Sequence, residues 1–440
     1  MDDQQGETQQ ILFNDFIPLP FRILFLIQLG TGFWFVLVTL CFNFTSLNIL
    51  QLLNLSYTSH NYVQLHERVL TSVVHGEFAT TVPAENQENS RLIRGIWNDF
   101  KSIAIVNTIC WILFKLTPDQ ELFKFVKHGI PVVAFGYLIY RLFYRSTNTS
   151  GQIRMYTTMK RILLGGINSM TMRSNDILIS DSMVSYAKVL NDFGLYIWNY
   201  YYSSEIPYNY HLEFGILCIP IAIRMRQCWV EYKLTNQDQH IYNLIKYATG
   251  LGPLLVNVLI KSTLLHDNDS GEREILMNKL TNLNRWWYFT SAINSTYSFI
   301  WDVKMDWNLE LFDFLFQFNK KTNPYYRFQI LRNRLAFDNK AIYYIIIVVD
   351  FILRFIWILK LFIINEEMKM DNIPYLYIFS TFLFGYDAYS FGYTVIELLE
   401  IYRRWFWCFI KLESDWIKLK INESEYEEIE LKEPIGTKEG

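Results

Sequence analysis

Uninterrupted apolar blocks long enough to cross a hydrocarbon core constrain this chain more than any other feature. The first runs from Ile17 to Phe44, and about 20 apolar residues suffice to span a bilayer as a helix. It is too long for the core of a signal peptide, and no basic region precedes it. Further apolar blocks occupy 101–117, 129–147, 178–202, 212–230, 243–265, 285–303, 341–364 and 374–410. The last is long enough to be broken, with Gly385, Tyr386 and Asp387 as the interruption. In lipid every backbone polar group needs an internal partner, so such blocks become helices. The fold expected is all-α, a polytopic integral membrane protein with about nine transmembrane helices.

Basic residues orient these spans. The loops after the third and seventh spans hold Arg154, Lys160, Arg161 and Arg173, then Lys304, Lys320, Lys321, Arg327, Arg332, Arg334 and Lys340. Residues 1–19 and 203–211 hold no Lys or Arg. Positive loops face the cytosol, which predicts a lumenal N-terminus and a cytosolic C-terminus. Loop 45–97 is then cytosolic and its Asn54 sequon silent, whereas the Asn268 sequon is lumenal. Three units follow: 1–175, a membrane scaffold of three spans plus loop 45–97; 176–413, a six-span core; and 414–440, an acidic cytosolic tail, solvated and disordered from 421.

Composition excludes several function classes. A formal net charge of −3 provides no basic field for nucleic acid. The five cysteines sit singly in apolar blocks, without zinc or disulfide spacing. All seven histidines fall in loops or at span edges, and no motif implies a cofactor. Asp302 and Asp306 as an acid–base pair are weak grounds for an enzyme.

Charged groups inside the spans carry the positive signal. Each costs about 2.5–3.5 kcal/mol at mid-membrane, so each needs a partner or a cavity. The fourth span holds Asp181, Ser185 and Asp192, whose offsets of four and eleven place them near one helical face. Arg224 and Arg226 lie in the fifth, and Lys246 and Tyr247 open the sixth. The seventh ends in Asp302, Lys304 and Asp306; the eighth holds Asp350, Arg354 and Trp357; the ninth closes with Glu400, Arg403, Arg404 and Trp407. Ion pairing between helices or snorkelling is the plainer reading of several, Arg226, Lys304, Asp306 and Lys411 among them. Two adjacent guanidiniums, Arg403 and Arg404, do not both fit one carboxylate. Guanidinium forks match phosphate or carboxylate oxygens, and interspersed aspartates keep an anion from being trapped.

The segments Ser180-Asp181-Ser-Met-Val-Ser185, Pro220-Ile-Ala-Ile-Arg224-Met-Arg-Gln227-Cys228, Lys246-Tyr247, Trp301-Asp302-Val-Lys-Met-Asp306-Trp307, Asp350-Phe-Ile-Leu-Arg354-Phe-Ile-Trp357 and Glu400-Ile-Tyr-Arg403-Arg404-Trp-Phe-Trp407 resemble, in this order, the EXS domain of eukaryotic phosphate exporters. The resemblance implies that Asp181, Arg224, Lys246, Tyr247, Asp302, Asp306, Asp350, Arg354, Trp357, Arg403 and Arg404 line a phosphate pathway. After Gln227-Cys228 the family usually continues with basic residues, whereas this chain reads Trp229-Val-Glu231-Tyr232. About sixteen residues precede the first span, which leaves no room there for the SPX sensor of plasma-membrane members. The short architecture looks like the fungal ER-retention-defective branch. That likeness implies a multi-pass Golgi protein that returns phosphate released by lumenal glycosylation to the cytosol. Its implied partners are inorganic phosphate, membrane lipid, a phosphoinositide-binding Golgi sorting adaptor, glycosyltransferases and a second copy in a homodimer. The alternative is a non-transporting membrane scaffold or sorting receptor for Golgi protein retention.

Overall fold

A computed structural model describes residues 13–45, 47, 49–53, 81–118, 120–143, 150–164, 173–202, 206–266, 273–313, 329–364, 374–384 and 388–432. All regular secondary structure among them is helical. The helices are α1 (Leu19–Phe44), α2 (Thr81–Leu116), α3 (Glu121–Phe143), α4 (Ser150–Leu163), α5 (Arg173–Ser185), α6 (Ala187–Tyr201), α7 (Tyr210–Thr235), α8 (Asp238–His266), α9 (Arg273–Trp301), α10 (Ala341–Arg354), α11 (Pro374–Phe384) and α12 (Phe391–Lys432). A π turn, Asp302–Asp306, extends α9, and a 3-10 turn, Ile356–Lys360, follows α10. Asn54, Asn268 and Gly385–Asp387 lie outside the described residues.

Among the described residues two helices, Leu19–Asn43 and Asp238–Leu265, are long and apolar enough to cross a membrane by length and composition alone. Other expected spans are split. The block 178–202 forms α5 and α6, which meet at Tyr186, and 341–364 breaks after Arg354. The block 374–410 divides into α11 and α12. The end expected to be disordered from 421 is helical as far as Lys432, and Ser414 and Trp416 beyond the drawn boundary are buried.

Burial differs from that of a water-soluble bundle in placing charges inside, beside an apolar core, and large apolar side chains outside. Helix α10 buries Asp350 while exposing Tyr344, Ile345, Val348, Phe351 and Ile352, and α3 exposes Phe125, Val132, Val133 and Ile139. Soluble chains rarely present apolar patches of that extent. A lipid-facing surface around an interior that also holds charges accounts for both halves of the pattern.

Three packing arrangements position the site. Helices α7 and α8 form an antiparallel hairpin, turned by Asn236 in the left-handed region at φ 52°, where its N–H donates to the Tyr232 carbonyl at 2.8 Å. Asn tolerates that conformation better than most residues. Arg224 stands twelve residues before Asn236 and Lys246 ten after it. At about 1.5 Å rise per residue they therefore reach nearly the same depth. Helix α12 packs on α10, α5 and α1. A buried aromatic core of Trp307, Tyr343 and Trp407 seals one end. There Glu413 accepts from Arg332, from the Ala336 N–H at 2.8 Å and from the Tyr343 hydroxyl at 2.7 Å.

The crossing of α11 and α12 depends on a glycine. A Cβ on Gly392 would stand 1.7 Å from the Phe382 carbonyl oxygen, a backbone atom that cannot swing aside. Gly392→Ala is expected to force the two helices apart and lower stability by about 1–3 kcal/mol, the usual cost of overpacking. Thermal unfolding of the detergent-solubilised protein reads this directly, and an unshifted transition would show that the crossing is looser.

Candidate functional site

The in-membrane charges are distributed between two linked groups. In the first, Arg224 Nε lies 2.7 Å from Asp181 Oδ1, and the Tyr247 hydroxyl donates to the same oxygen at 2.5 Å. Arg224 also donates to Ser180 Oγ at 3.1 Å and to Gln227 Oε1 at 2.7 Å. Nη1 thus holds two oxygens, while Nε faces Asp181 as an ion pair. Pro220, four residues earlier on the same helix, lacks an N–H and leaves the ladder one bond short.

In the second group, Arg354 pairs with Asp302 and, through Nε at 2.9 Å, with Asp350. Arg403 donates to Asp350 at 3.0 Å, lies 3.8 Å from Asp302, and grips Glu400 through Nη2 at 2.7 Å and Nε at 2.9 Å. The local backbone explains these alignments. The π turn carries an i+5 bond from the Trp307 N–H to the Asp302 carbonyl at 2.8 Å. It turns Asp302 towards Arg354, while Asp306 lies 4.0 Å from Lys411. π turns of this kind often mark functional positions. The helix break after Arg354 is steadied by Ser295, whose hydroxyl donates to the Arg354 carbonyl at 3.0 Å and accepts from Trp357 Nε1 at 2.9 Å.

Arg404 and Ser185 join the two groups. Arg404 Nε donates to Ser185 Oγ at 2.9 Å, and Ser185 donates to Glu400 at 2.7 Å. The Arg404 guanidinium lies over the Trp407 ring at 4.6 Å, and Nη1 is 3.9 Å from Asp181 Oδ2. Lys246 differs again. Only 7% exposed, it makes no ion pair among the described residues and rests over the rings of Tyr247 at 4.5 Å and Trp301 at 5.5 Å. Asp181, Asp302 and Asp306 are its electrostatic neighbours. Across the network, four carboxylates (Asp181, Asp302, Asp350, Glu400) face five cations (Arg224, Lys246, Arg354, Arg403, Arg404).

The structure therefore brings together all the expected pathway residues except Asp306, which sits at the edge with Lys411, and Trp357, which borders the network through Ser295. The expectation that Asp181, Ser185 and Asp192 act on one face needs correction. The helix breaks at Tyr186, so one angular register does not run from Asp181 to Asp192, and Asp192 pairs instead with Arg22. Where the family usually carries basic residues, Glu231 is held by Arg173 at 2.5 Å and lies 3.3 Å from His240. Sequence reading passed over Arg22, Lys188 and Glu397. Arg22, near the end of its block, looks like a snorkelling residue, Lys188 and Glu397 lie mid-block on other helices, and only the packing of α1 on α6 and α12 reveals their proximity.

Comparison with known proteins agrees with the ordered motifs. Protein ERD1 of Kluyveromyces lactis is 28% identical over 348 residues, covering 72% of this chain and 79% of the relative. Protein ERD1 homolog 1 of Schizosaccharomyces pombe is 24% identical over 368 residues, covering 80% and 85%. Solute carrier family 53 member 1 of Mus musculus is 29% identical over 209 residues, 47% of this chain but 25% of that longer protein. The profile of the EXS family matches residues 17–417, nearly the whole of the helical bundle, and the chain therefore belongs to the EXS family.

Proposed function

We propose that the chain is a phosphate transporter whose pathway runs through the Arg224–Arg404 network. One observation carries this reading: Lys246, buried, and Arg404, partly buried, are cations without a close carboxylate clamp, in a network where Arg224, Arg354 and Arg403 are clamped. Arg404 keeps a planar fork for oxygen atoms, and Lys246 adds a point charge that breaks no ion pair when it turns to a ligand. The clamped arginines hold the walls. Relatives that include a solute carrier support transport in preference to catalysis.

The cellular setting follows the resemblance. The protein returns inorganic phosphate released by lumenal glycosylation across the Golgi membrane, with its N-terminus lumenal and its C-terminus cytosolic, and thereby supports retention of glycosyltransferases and ER residents. A sorting adaptor and a second copy of the chain are its proposed protein partners. The scaffold alternative draws on one feature, the continuation of α12 to Lys432, well past the network. Radiolabelled phosphate flux into vesicles containing only this protein separates the two. Flux above that of empty vesicles is expected, and equal flux would leave the scaffold.

A further inference from the structure

A second buried ionisable cluster lies apart from the phosphate network, between α1, α6 and α12. Arg22, Asp192 and Glu397 are each 2% exposed or less. Arg22 pairs with Asp192, and its Nε lies 3.9 Å from Glu397 Oε2. Both carboxylates thus face the one Arg22 guanidinium. Asp192 Oδ1 and both Glu397 oxygens are nevertheless buried without a donor. Two ionised carboxylates offer only acceptors to one another, and side by side in low dielectric they do not both stay charged. A proton on one carboxyl, donated to the other, satisfies one oxygen of each.

We propose that Asp192 and Glu397 hold one shared proton, forming a proton-binding site that couples proton movement to phosphate movement. The coupling half rests on the transport reading; the shared proton does not. Intramembrane carboxyl groups of this sort serve proton relays in pumps and transporters. The link to the phosphate network is Lys188, one turn before Asp192 on α6. Its ammonium lies over the Tyr393 ring at 5.5 Å, with Glu397, Glu400 and Asp192 as its electrostatic neighbours.

The surroundings from the other packed elements are also defined. The Arg22 guanidinium lies 5.9 Å from the Tyr393 ring centroid, and Tyr208 donates to Asn191 at 3.1 Å beside Asp192. Glu213 is tied to Lys261, and Lys360 repels Lys188 from the 3-10 turn. When Glu397 takes the proton, Lys188 loses one of its two nearby glutamates and bears on Glu400 instead. Glu400 is the carboxylate that grips Arg403 and accepts from Ser185. Loading the proton thus loosens the network around Arg404, and releasing it tightens that network again.

The test uses the full chain in sealed vesicles. Infrared spectra of the wild type at neutral pH should show the C=O stretch of a buried protonated carboxyl, and Glu397→Gln should lose it, since the amide supplies its own donor. In parallel, steady-state accumulation of radiolabelled inorganic phosphate is measured under an imposed pH gradient. One coupled proton shifts the accumulation ratio by up to about tenfold per pH unit, beyond the shift from phosphate's own titration, which is the same for both proteins. Glu397→Gln should lack that increment. An absent band, or one that survives in both Glu397→Gln and Asp192→Asn, would overturn the shared proton. A band lost in the variant without any change in accumulation ratio would overturn the coupling. If the wild type moved no phosphate at all, the transport reading would fall and the band would still decide the proton site.

Discussion

Asp350→Ala is expected to abolish most recoverable folded protein, because one small deletion strips two buried guanidiniums at once. Asp350 gives one oxygen to Arg354 at 2.9 Å and the other to Arg403 at 3.0 Å. Removing one partner of a buried pair costs about 3–5 kcal/mol, since the remaining charge stays buried. Total stabilities of folded domains are about 5–15 kcal/mol, so the loss is a large fraction of what is available. The two arginines are not equally exposed to the damage. Arg403 retains its bidentate grip on Glu400, and Arg354 retains only Asp302 among its close carboxylates.

That asymmetry makes the prediction specific. Adding Arg354→Met to Asp350→Ala removes the more poorly compensated charge and should recover part of the thermal stability. Recovery stays partial because Arg403 still lacks one ligand. Size-exclusion profiles and unfolding transitions in detergent report both effects. Wild-type stability in Asp350→Ala alone would show that water or lipid headgroups, not Asp350, compensate these arginines.

The sequence made some of this network legible and concealed the rest for definable reasons. Asp350 and Arg354 are four residues apart, a spacing that meets on any helix, and the structure pairs them. The tie between Arg354 and Asp302 spans 52 residues of chain, and no local pattern encodes it. Asp302 and Asp306 also look equivalent at a separation of one turn. The π turn between them changes the angular step, so one faces the arginines and the other Lys411. Arg403 and Arg404 were readable as too many cations for one carboxylate. Which of the two is committed was not readable, because it depends on Glu400 one turn earlier and on Ser185 from a different helix. The break at 384–391 was foreseeable from a block too long for one span, whereas the kink at Tyr186 falls among residues without Gly or Pro. The continuation of α12 past 421 was hidden by its charge, since an acidic stretch reads equally well as a solvated coil.

Arg404→Lys tests the central claim most directly. Arg404 keeps one firm hydrogen bond, to Ser185, and lies 3.9 Å from its nearest carboxylate. Lysine preserves the charge and the reach but loses the planar fork. A hydrogen bond to a charged group is worth about 1.5–3 kcal/mol, or roughly tenfold to hundredfold in site occupancy. Phosphate flux should therefore fall by about that factor at low phosphate, with an unchanged unfolding transition and unchanged localisation. Arg403→Lys should behave differently, losing stability together with flux, because Arg403 braces Glu400 and Asp350. The measurement is radiolabelled phosphate flux in vesicles carrying wild type or Arg404→Lys at matched amounts of folded protein. A tenfold or greater loss is the predicted result; equal flux would remove Arg404 from the phosphate path and contradict the account.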